Sequence, residues 1–530
     1  MNRLACLATS VLMFAGCALD LAERDDPSES EVAAEISPSA TQPTTVYNLT
    51  GRTTPAQVAT AIHIDTRLTL TFDAAPKLGT GTVQILRKSD DAVIDTIKIG
   101  RETDTLGFPG QARVRVVNVD QLITISGNTA TIVPHHARLA YATAYYVVIA
   151  NGVFTGAAIN GTAFTGIGKT GNWSFTTGAA PATTLTSLTV DDNGTADFQT
   201  VQGALDYVMK NTAVATAVTI TVKNGTYQEL LFLRAKNNVR IVGESRTGVI
   251  IQYRNYEGLN AGSGASAAAG TAPAGGRAVF LIESADLLTL DTLTLRNTML
   301  RSTTVSSQAE TLFFNNDGGR LIAKNASFLS EQDTVQLTGY AWFFNSLIAG
   351  NVDFIWGNDR VSLFENSEIR SLGDTANASS GGFIVQARTV GATDKGFVFL
   401  STKLTHGRGP GPAAGDVPTG SKAATYLARS PGSTSSNDNV AFVNCQMDTH
   451  IIPVGWAFNT AGQPVPHPAV ATAAGGWREH GTTNLTGTAV NLATRVGGFL
   501  LSDSNVASGF ASRAQIFAAF GGGAGWNPQP

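Results

Sequence analysis

Cysteine is nearly absent from this chain: among 530 residues only Cys6, Cys17 and Cys445 occur. If the first two belong to an export leader, Cys445 stands alone and no disulfide can form inside the folded part, even in an oxidising compartment. Charge is also sparse, at 14% of residues, with 40 acidic against 36 basic side chains. That near-balance argues against nucleic acid and against general attraction to an anionic membrane. Beyond the N-terminal segment no apolar run is long enough to span a bilayer. What the chain does hold is glycine, 55 residues of it, among many short β-type runs. The length predicts two domains, although a solenoid can lengthen without dividing.

Residues 1–17 carry one basic side chain and then a short apolar run ending in small residues, the pattern of an export signal. Phe14-Ala-Gly-Cys17 resembles the lipobox of bacterial lipoproteins, which implies acylation at Cys17 and an outer-membrane anchor, or otherwise plain secretion. Residues 18–44 are rich in Ala, Ser, Pro and Thr without aromatics. They cannot offset the entropy of ordering by burial and read as a flexible tether.

Between residues 45 and 179 come Arg67-Leu-Thr-Leu-Thr-Phe72, Gly81-Thr-Val-Gln-Ile-Leu86, Arg113-Val-Arg-Val-Val-Asn-Val119, Ala144-Tyr-Tyr-Val-Val-Ile149 and Trp173-Ser-Phe-Thr-Thr177. Strands at this spacing, punctuated by Gly, Asp and Pro, predict a two-sheet sandwich. The wording resembles bacterial immunoglobulin-like domains, here expected to act as a spacer or adhesion module. His135 and His136 are adjacent, so they face opposite ways and predict a turn rather than a metal pair.

After a Thr-rich linker, Phe198, Val201, Leu205 and Val208 recur at helical spacing and predict one amphipathic helix that closes the end of a solenoid. The solenoid itself shows between residues 324 and 374. Asn325, Asn345 and Asn366 each follow a short apolar run, 20 and 21 residues apart, and eight residues beyond each stands an Asp: Asp333, Asp353 and Asp374. Such a period with short strands predicts stacked parallel coils, about 4.8 Å apart. In that register Asp333 and Asp353 occupy equivalent places on adjacent coils. Two carboxylates so close cannot easily both ionise, and one is expected to hold its proton more tightly. Apolar Val352, Phe354 and Ile355 raise the cost of an unpaired carboxylate, so a cation such as Arg429 is expected beside it. Residues 258–276 and 407–421 interrupt the rhythm and read as loops bulging from a coil.

Several segments resemble the pectin methylesterase family, right-handed parallel β-helix enzymes: Gly225-Thr-Tyr-Gln-Glu229, Gln308-Ala-Glu-Thr-Leu312, Gln332-Asp-Thr334, Gly350-Asn-Val-Asp-Phe-Ile-Trp-Gly357, Gln386-Ala-Arg388 and Tyr426-Leu-Ala-Arg429. The resemblance implies a mainly β fold, a parallel β-helix over residues 187–525 after the immunoglobulin-like sandwich. It further implies Asp353 as nucleophile, Asp333 as acid/base, Gln308 and Gln332 around the oxyanion, and Arg429 paired with Asp353. Tyr227, Arg388, Trp356 and Trp456 are the expected substrate contacts. No metal or cofactor is expected, and the partner is methylated galacturonan handled by a monomer.

The chain departs from the family at Ala428-Arg429-Ser-Pro431, where an aromatic residue is usual; Trp356, Trp456 and Tyr340 are candidate replacements or packing residues. Alternatives are a lipoprotein esterase or thioesterase of this fold acting on another acyl group, and a non-catalytic polysaccharide-binding protein. A lyase would need Ca²⁺ ligands and a glycosidase carboxylates placed for glycosidic cleavage; paired Gln residues suit an oxyanion better.

Overall fold

The computed structural model describes residues 42–108, 113–171, 173–264, 275–412 and 414–530. Cys17, the expected leader and most of the expected tether lie outside them. Among the described residues no helix is long and apolar enough to cross a membrane.

The first part is a sandwich. One sheet orders Thr53–Thr54, Leu68–Thr71, Thr129–Ile132 and Ile123–Ser126; the other orders Ala59–Ile62, Ser174–Thr177, Ala144–Ile149, Thr82–Arg87 and Val93–Lys98. Alternation dictates the facing: Leu68 and Leu70 are buried while Thr69 and Thr71 are not. Between the sheets lie Phe72, Ile85, Tyr145, Val147, Trp173 and Phe175. Glu102–Leu106 and Arg115–Val119 belong to neither sheet and form a separate antiparallel ribbon.

The second part is a parallel β-helix whose three faces hold eleven, nine and seven strands. One coil runs through Arg320–Lys324, Ser327–Leu329 and Val335–Leu337, the next through Gly339–Phe344, Leu347–Gly350 and Val352–Gly357. Asn325, Asn345 and Asn366 sit at one corner of successive coils with φ of 51°, 48° and 48°. That left-handed conformation suits Asn better than most residues, which is why the repeat shows in the sequence. The Asn345 amide donates to Asn325 Oδ1 at 2.8 Å, lacing the corner along the stack. Inside, Phe343, Phe364, Phe399 and Phe442 stack at 4.6, 4.9 and 4.4 Å between successive ring centres, and Trp456 and Trp477 continue the column.

The expected helix is present at Val201–Asn211, N-capped by Thr200, with Val201, Ala204, Leu205 and Val208 buried against the first coils. Its start is shared property. Asp65 of the sandwich accepts from the Gln199 and Thr200 amides, and Glu229 of the β-helix accepts from the Val201 and Gln202 amides, where carboxylates complement the helix dipole.

The expected spacer role does not fit how the sandwich sits. Leu230, Phe232, Ala278, Leu281 and Phe313 of the β-helix belong to the same apolar cluster as the sandwich core. His135 turns to Asp95 within the sandwich, whereas His136 turns the other way to Asp206 on the helix. Arg113 pairs with buried Glu283 at 2.6 Å. A spacer would keep its surface solvated; this one shares a core with what it carries.

Candidate active site

The seven-strand face begins each of its strands at one edge, and that edge carries the site. Strand pairs Phe280↔Leu312, Leu312↔Val335, Val335↔Ile355 and Ile355↔Val385 fix the register. Counting back from them, Glu310, Asp333 and Asp353 stand on three consecutive coils. Around them Arg277, Gln308, Gln332, Trp356, Gln386, Arg388 and Arg429 enclose a cleft of about 220 Å³.

Asp353 is aimed by an irregularity. Between Val352↔Phe383 and Ile355↔Val385 its strand holds one residue more than its neighbour, and Asp353 takes φ of 49°. A bulge of this kind re-aims a side chain that regular pleating would send elsewhere. Asp333 has φ of 59°, and its amide donates to Val352 O at 3.1 Å. The preceding turn needs Gly350, since a Cβ there would meet Phe354 Cβ at 2.3 Å.

Asp353 is heavily engaged. Arg429 Nε donates to its Oδ1 at 2.8 Å, Arg429 Nη2 also donates to Oδ2, and Gln386 Nε2 donates to Oδ2 at 2.9 Å. Arg388 in turn donates to Gln386 Oε1 at 2.7 Å, holding that amide in place. Asp333 is more lightly held, with Arg277 Nη2 donating to its Oδ2 at 3.3 Å. Arg277 is otherwise committed to Glu310 through Nε at 2.9 Å and to Glu257 through Nη1 at 2.6 Å.

Three carboxyls in a column lie between the guanidiniums of Arg277 and Arg429, and one proton relieves the excess negative charge. The middle position has a carboxyl on either side. Accordingly, burial first, then Glu310 and Asp353, push Asp333 well above the usual carboxylate range against the pull of Arg277 and Arg429. Burial also raises Asp353, but Arg429 hydrogen bonds and charge, then Arg388 and Arg301, oppose it. Of the two Asp residues, Asp333 is thus held the further from ionisation, and Asp353, beside Arg429, is the readier to carry charge.

The remaining polar groups face the same space. Arg301 donates to Gln332 Oε1 at 3.3 Å, which leaves the Gln332 NH₂ to donate elsewhere. Gln308 lies at the cleft wall. Trp356 is covered by the Arg388 guanidinium at 4.9 Å and approached by Arg277 at 5.7 Å. Next to Arg429, which sits 4.6 Å over Phe383, the rings of Phe383 and Tyr426 stack at 5.4 Å.

The pectinesterase family model matches residues 187–466, a little over half of the chain. The chain belongs to the pectinesterase family. A bacterial Ig-like domain model matches residues 40–177. Pectinesterase A of Dickeya dadantii (strain 3937) is 28% identical over 294 residues, covering 52% of this chain and 77% of that protein. A pectinesterase of Ralstonia solanacearum is 23% identical over 343 residues, 59% of this chain and 83% of its own length. Among solved structures, a pectin methylesterase mutant in complex with a hexasaccharide superposes with a TM-score of 0.50 at 22% identity, covering 66% of this chain and all of that one. That likeness is one of fold.

Within this pectinesterase frame, the cleft gathers Asp353, Asp333, Gln332, Gln308, Arg429, Arg388 and Trp356. Tyr227 and Trp456 stand outside it and require correction. Tyr227 is the inward residue of strand Gly225–Gln228, fully buried, with its hydroxyl donating to Lys223 O at 2.8 Å. Trp456 is fully buried in the aromatic column. Neither can reach a polymer. Tyr340 packs on Phe520, away from the cleft. Asp374, third in the Asn repeat, pairs with Arg301 at 3.1 Å and caps the turn at Ala376. Sequence reasoning passed over Arg277, Glu310 and the Phe383–Tyr426 pair, and gave Gln386 no role. Register offered a signal for Glu310 alone.

Behind Arg429, buried Asp438 accepts from Ser430 Oγ at 2.9 Å and from the His467 amide at 2.7 Å, yet its Oδ1 has no partner among the described residues. Burial pushes it from 3.8 up to about 6. A carboxyl raised in the fold binds its proton more tightly there than when unfolded. Its favourable contribution is thus complete below about pH 4, declines as pH rises to about 6 and stays lost above. Ionising it in place costs roughly 3 kcal/mol at most, and an amide would still leave one polar group unpaired at about 1 kcal/mol or more. Asp438→Asn is therefore expected to raise the unfolding temperature at pH 8 by a few degrees, with no gain at pH 3. Equal shifts at both pH values would show that Asp438 does not pay this ionisation cost.

Proposed function

We propose that the chain hydrolyses methyl esters of galacturonan to carboxylate and methanol, with Asp353 as nucleophile and Asp333 as acid and then base. The observation that carries this reading is the pair of in-register Asp residues on adjacent coils with unequal claims on a proton. Asp353, ionised beside Arg429, attacks the ester carbonyl carbon. The Gln308 and Gln332 amides donate to the oxygen that becomes negative. As the C–O bond to methoxide breaks, Asp333 gives its proton and methanol departs, leaving an acyl-enzyme on Asp353. Ionised Asp333 then takes a proton from water, hydroxide adds to the acyl carbon, and Asp353 leaves as carboxylate. The partly exposed Phe383–Tyr426 pair supplies ring faces for sugars, and Arg388, resting on buried Trp356, supplies charge for neighbouring carboxylates.

An exported enzyme held by a lipid at Cys17, acting as a monomer without metal or cofactor, fits this role. Pro431, standing where the family has an aromatic residue, favours a second reading in which the same pair acts on a different acyl group. The test is methanol release from highly methylated pectin. Methanol is expected to appear one for one with new carboxylates, without new reducing ends or unsaturated products and unaffected by chelator. Hydrolysis of small acyl esters or thioesters that depends on Asp353, with no methanol from pectin, would keep the mechanism and discard the polymer.

A further inference from the structure

We propose that the sandwich is a working part of the esterase site: Arg115, reaching out of the ribbon strand Arg115–Val119, positions Arg277 against Asp333 and Glu310. The inference rests on the reading of Asp333 as the proton-transferring residue.

Arg115 is 1% exposed. Instead of a carboxylate its guanidinium collects main-chain carbonyls of the β-helix. Nε donates to Gly275 O at 2.8 Å, Nη1 to Leu231 O at 2.6 Å and Val279 O at 3.2 Å, and Nη2 to Gly276 O at 3.1 Å and to Ala278 O. Four of these five carbonyls lie within two residues of Arg277, on both sides of it. Burying a guanidinium that hydrogen-bonds no carboxylate is costly, and burial pulls Arg115 down to about 9 even with Glu283 within electrostatic reach. A residue kept in so unfavourable a place needs a geometric reason, and the bracketed residue supplies one.

A second line from the same strand ends on the same carbonyls. The Asn118 amide donates to Asn260 Oδ1 at 2.7 Å, Asn260 Nδ2 donates to Asn255 Oδ1 at 2.8 Å, and Asn255 Nδ2 donates to Gly276 O at 3.1 Å and Ala278 O at 3.0 Å. Contact is close enough to exclude a side chain: a Cβ on Gly275 would fall 2.5 Å from Val116 O. Arg277 then leaves this clamped segment for Glu257, Glu310 and Asp333. Asp333 is faced by Glu310, Asp353, Arg277 and Arg429, with Arg388 within electrostatic reach, so a displaced Arg277 removes the cation on one side of the column.

The consequence is directional. Less positive charge near Asp333 makes it hold its proton more tightly, so loosening Arg277 shifts the pH–rate profile upward. The experiment compares Arg115→Met, Arg115→Lys, Arg277→Met and the double Met variant of the full protein on methylated pectin across pH, well below each unfolding temperature. Arg115→Met is expected to lower kcat about tenfold or more with KM little changed and to move the profile to higher pH, as Arg277→Met does. The double variant is expected to be no worse than Arg277→Met alone, and Arg115→Lys to recover part of the loss.

A fall in kcat with an unmoved pH profile, or losses that multiply in the double variant, would overturn the proposal by reducing Arg115 to a structural clamp. Should Arg115→Met fail to fold, Asn260→Ala, which removes both side-chain links of the second line, enters the same cycle with Arg277→Met, and the same outcomes decide. Arg277→Met without effect, beside an inactive Asp333→Asn, sinks the positioning claim and leaves the catalytic reading intact; full activity of Asp333→Asn sinks that reading instead.

Discussion

Asp353→Asn is expected to abolish methanol release, by a factor on the order of 10⁴ or more. An amide oxygen beside Arg429 carries no charge to deliver to an ester carbonyl, and no second carboxylate can take over: Asp333 holds the proton and Glu310 is tied to Arg277. The exchange keeps the side-chain volume. The coils are secured by backbone ladders and stacked apolar residues rather than by this ion pair, so circular dichroism and the unfolding temperature should stay close to those of the unaltered protein. Turnover above a percent of the original in a folded variant would remove Asp353 from the role of nucleophile.

Asp333→Asn is expected to divide substrates by their leaving groups. Methoxide is a poor leaving group and needs the proton, so methyl ester hydrolysis should fall by about 10²–10⁴-fold. An activated aryl ester of the same acid leaves without help. Its acylation should proceed nearly unimpaired and then stall, because the variant has no base to activate water; the trace would show one equivalent of aryl alcohol per enzyme followed by a slow phase. Equal slowing of both esters, with no burst, would mean that Asp333 only supports the site's shape.

The parts of this architecture that could be read in the sequence were those in which a local requirement repeats. Successive coils of this stretch turn their corner through a left-handed residue, Asn is tolerated there, and so Asn325, Asn345 and Asn366 announced the register that sets Asp333 over Asp353. Direction was less legible. Tyr227 matched a family motif by identity, but a match does not say which way a strand residue faces, and the alternation of Gly225–Gln228 sends it inward. Trp456 failed similarly, as its place depends on an aromatic column built by residues from several coils. Arg277 could not be seen because the Gly-, Ala- and Ser-rich sequence of residues 258–276 breaks the spacing just before it. Arg115, read alone, is one polar residue in an alternating strand; only tertiary packing shows that it points into the other half of the molecule.

The bulge at Asp353 and the ladders on either side of it have a consequence for how such a molecule can change. The interval between the two acids is set by the hydrogen-bonding pitch of adjacent coils, as divisions are engraved on a ruler, and not by the reach of any loop. Segments between strands, such as residues 373–382 and 414–425, join one strand to the next and do not set that interval. Lineages can lengthen, shorten or replace these excursions, and with them the walls that choose a polymer, while the reactive groups keep their separation. Diversity of substrate and constancy of chemistry are thus encoded in different parts of the same turn.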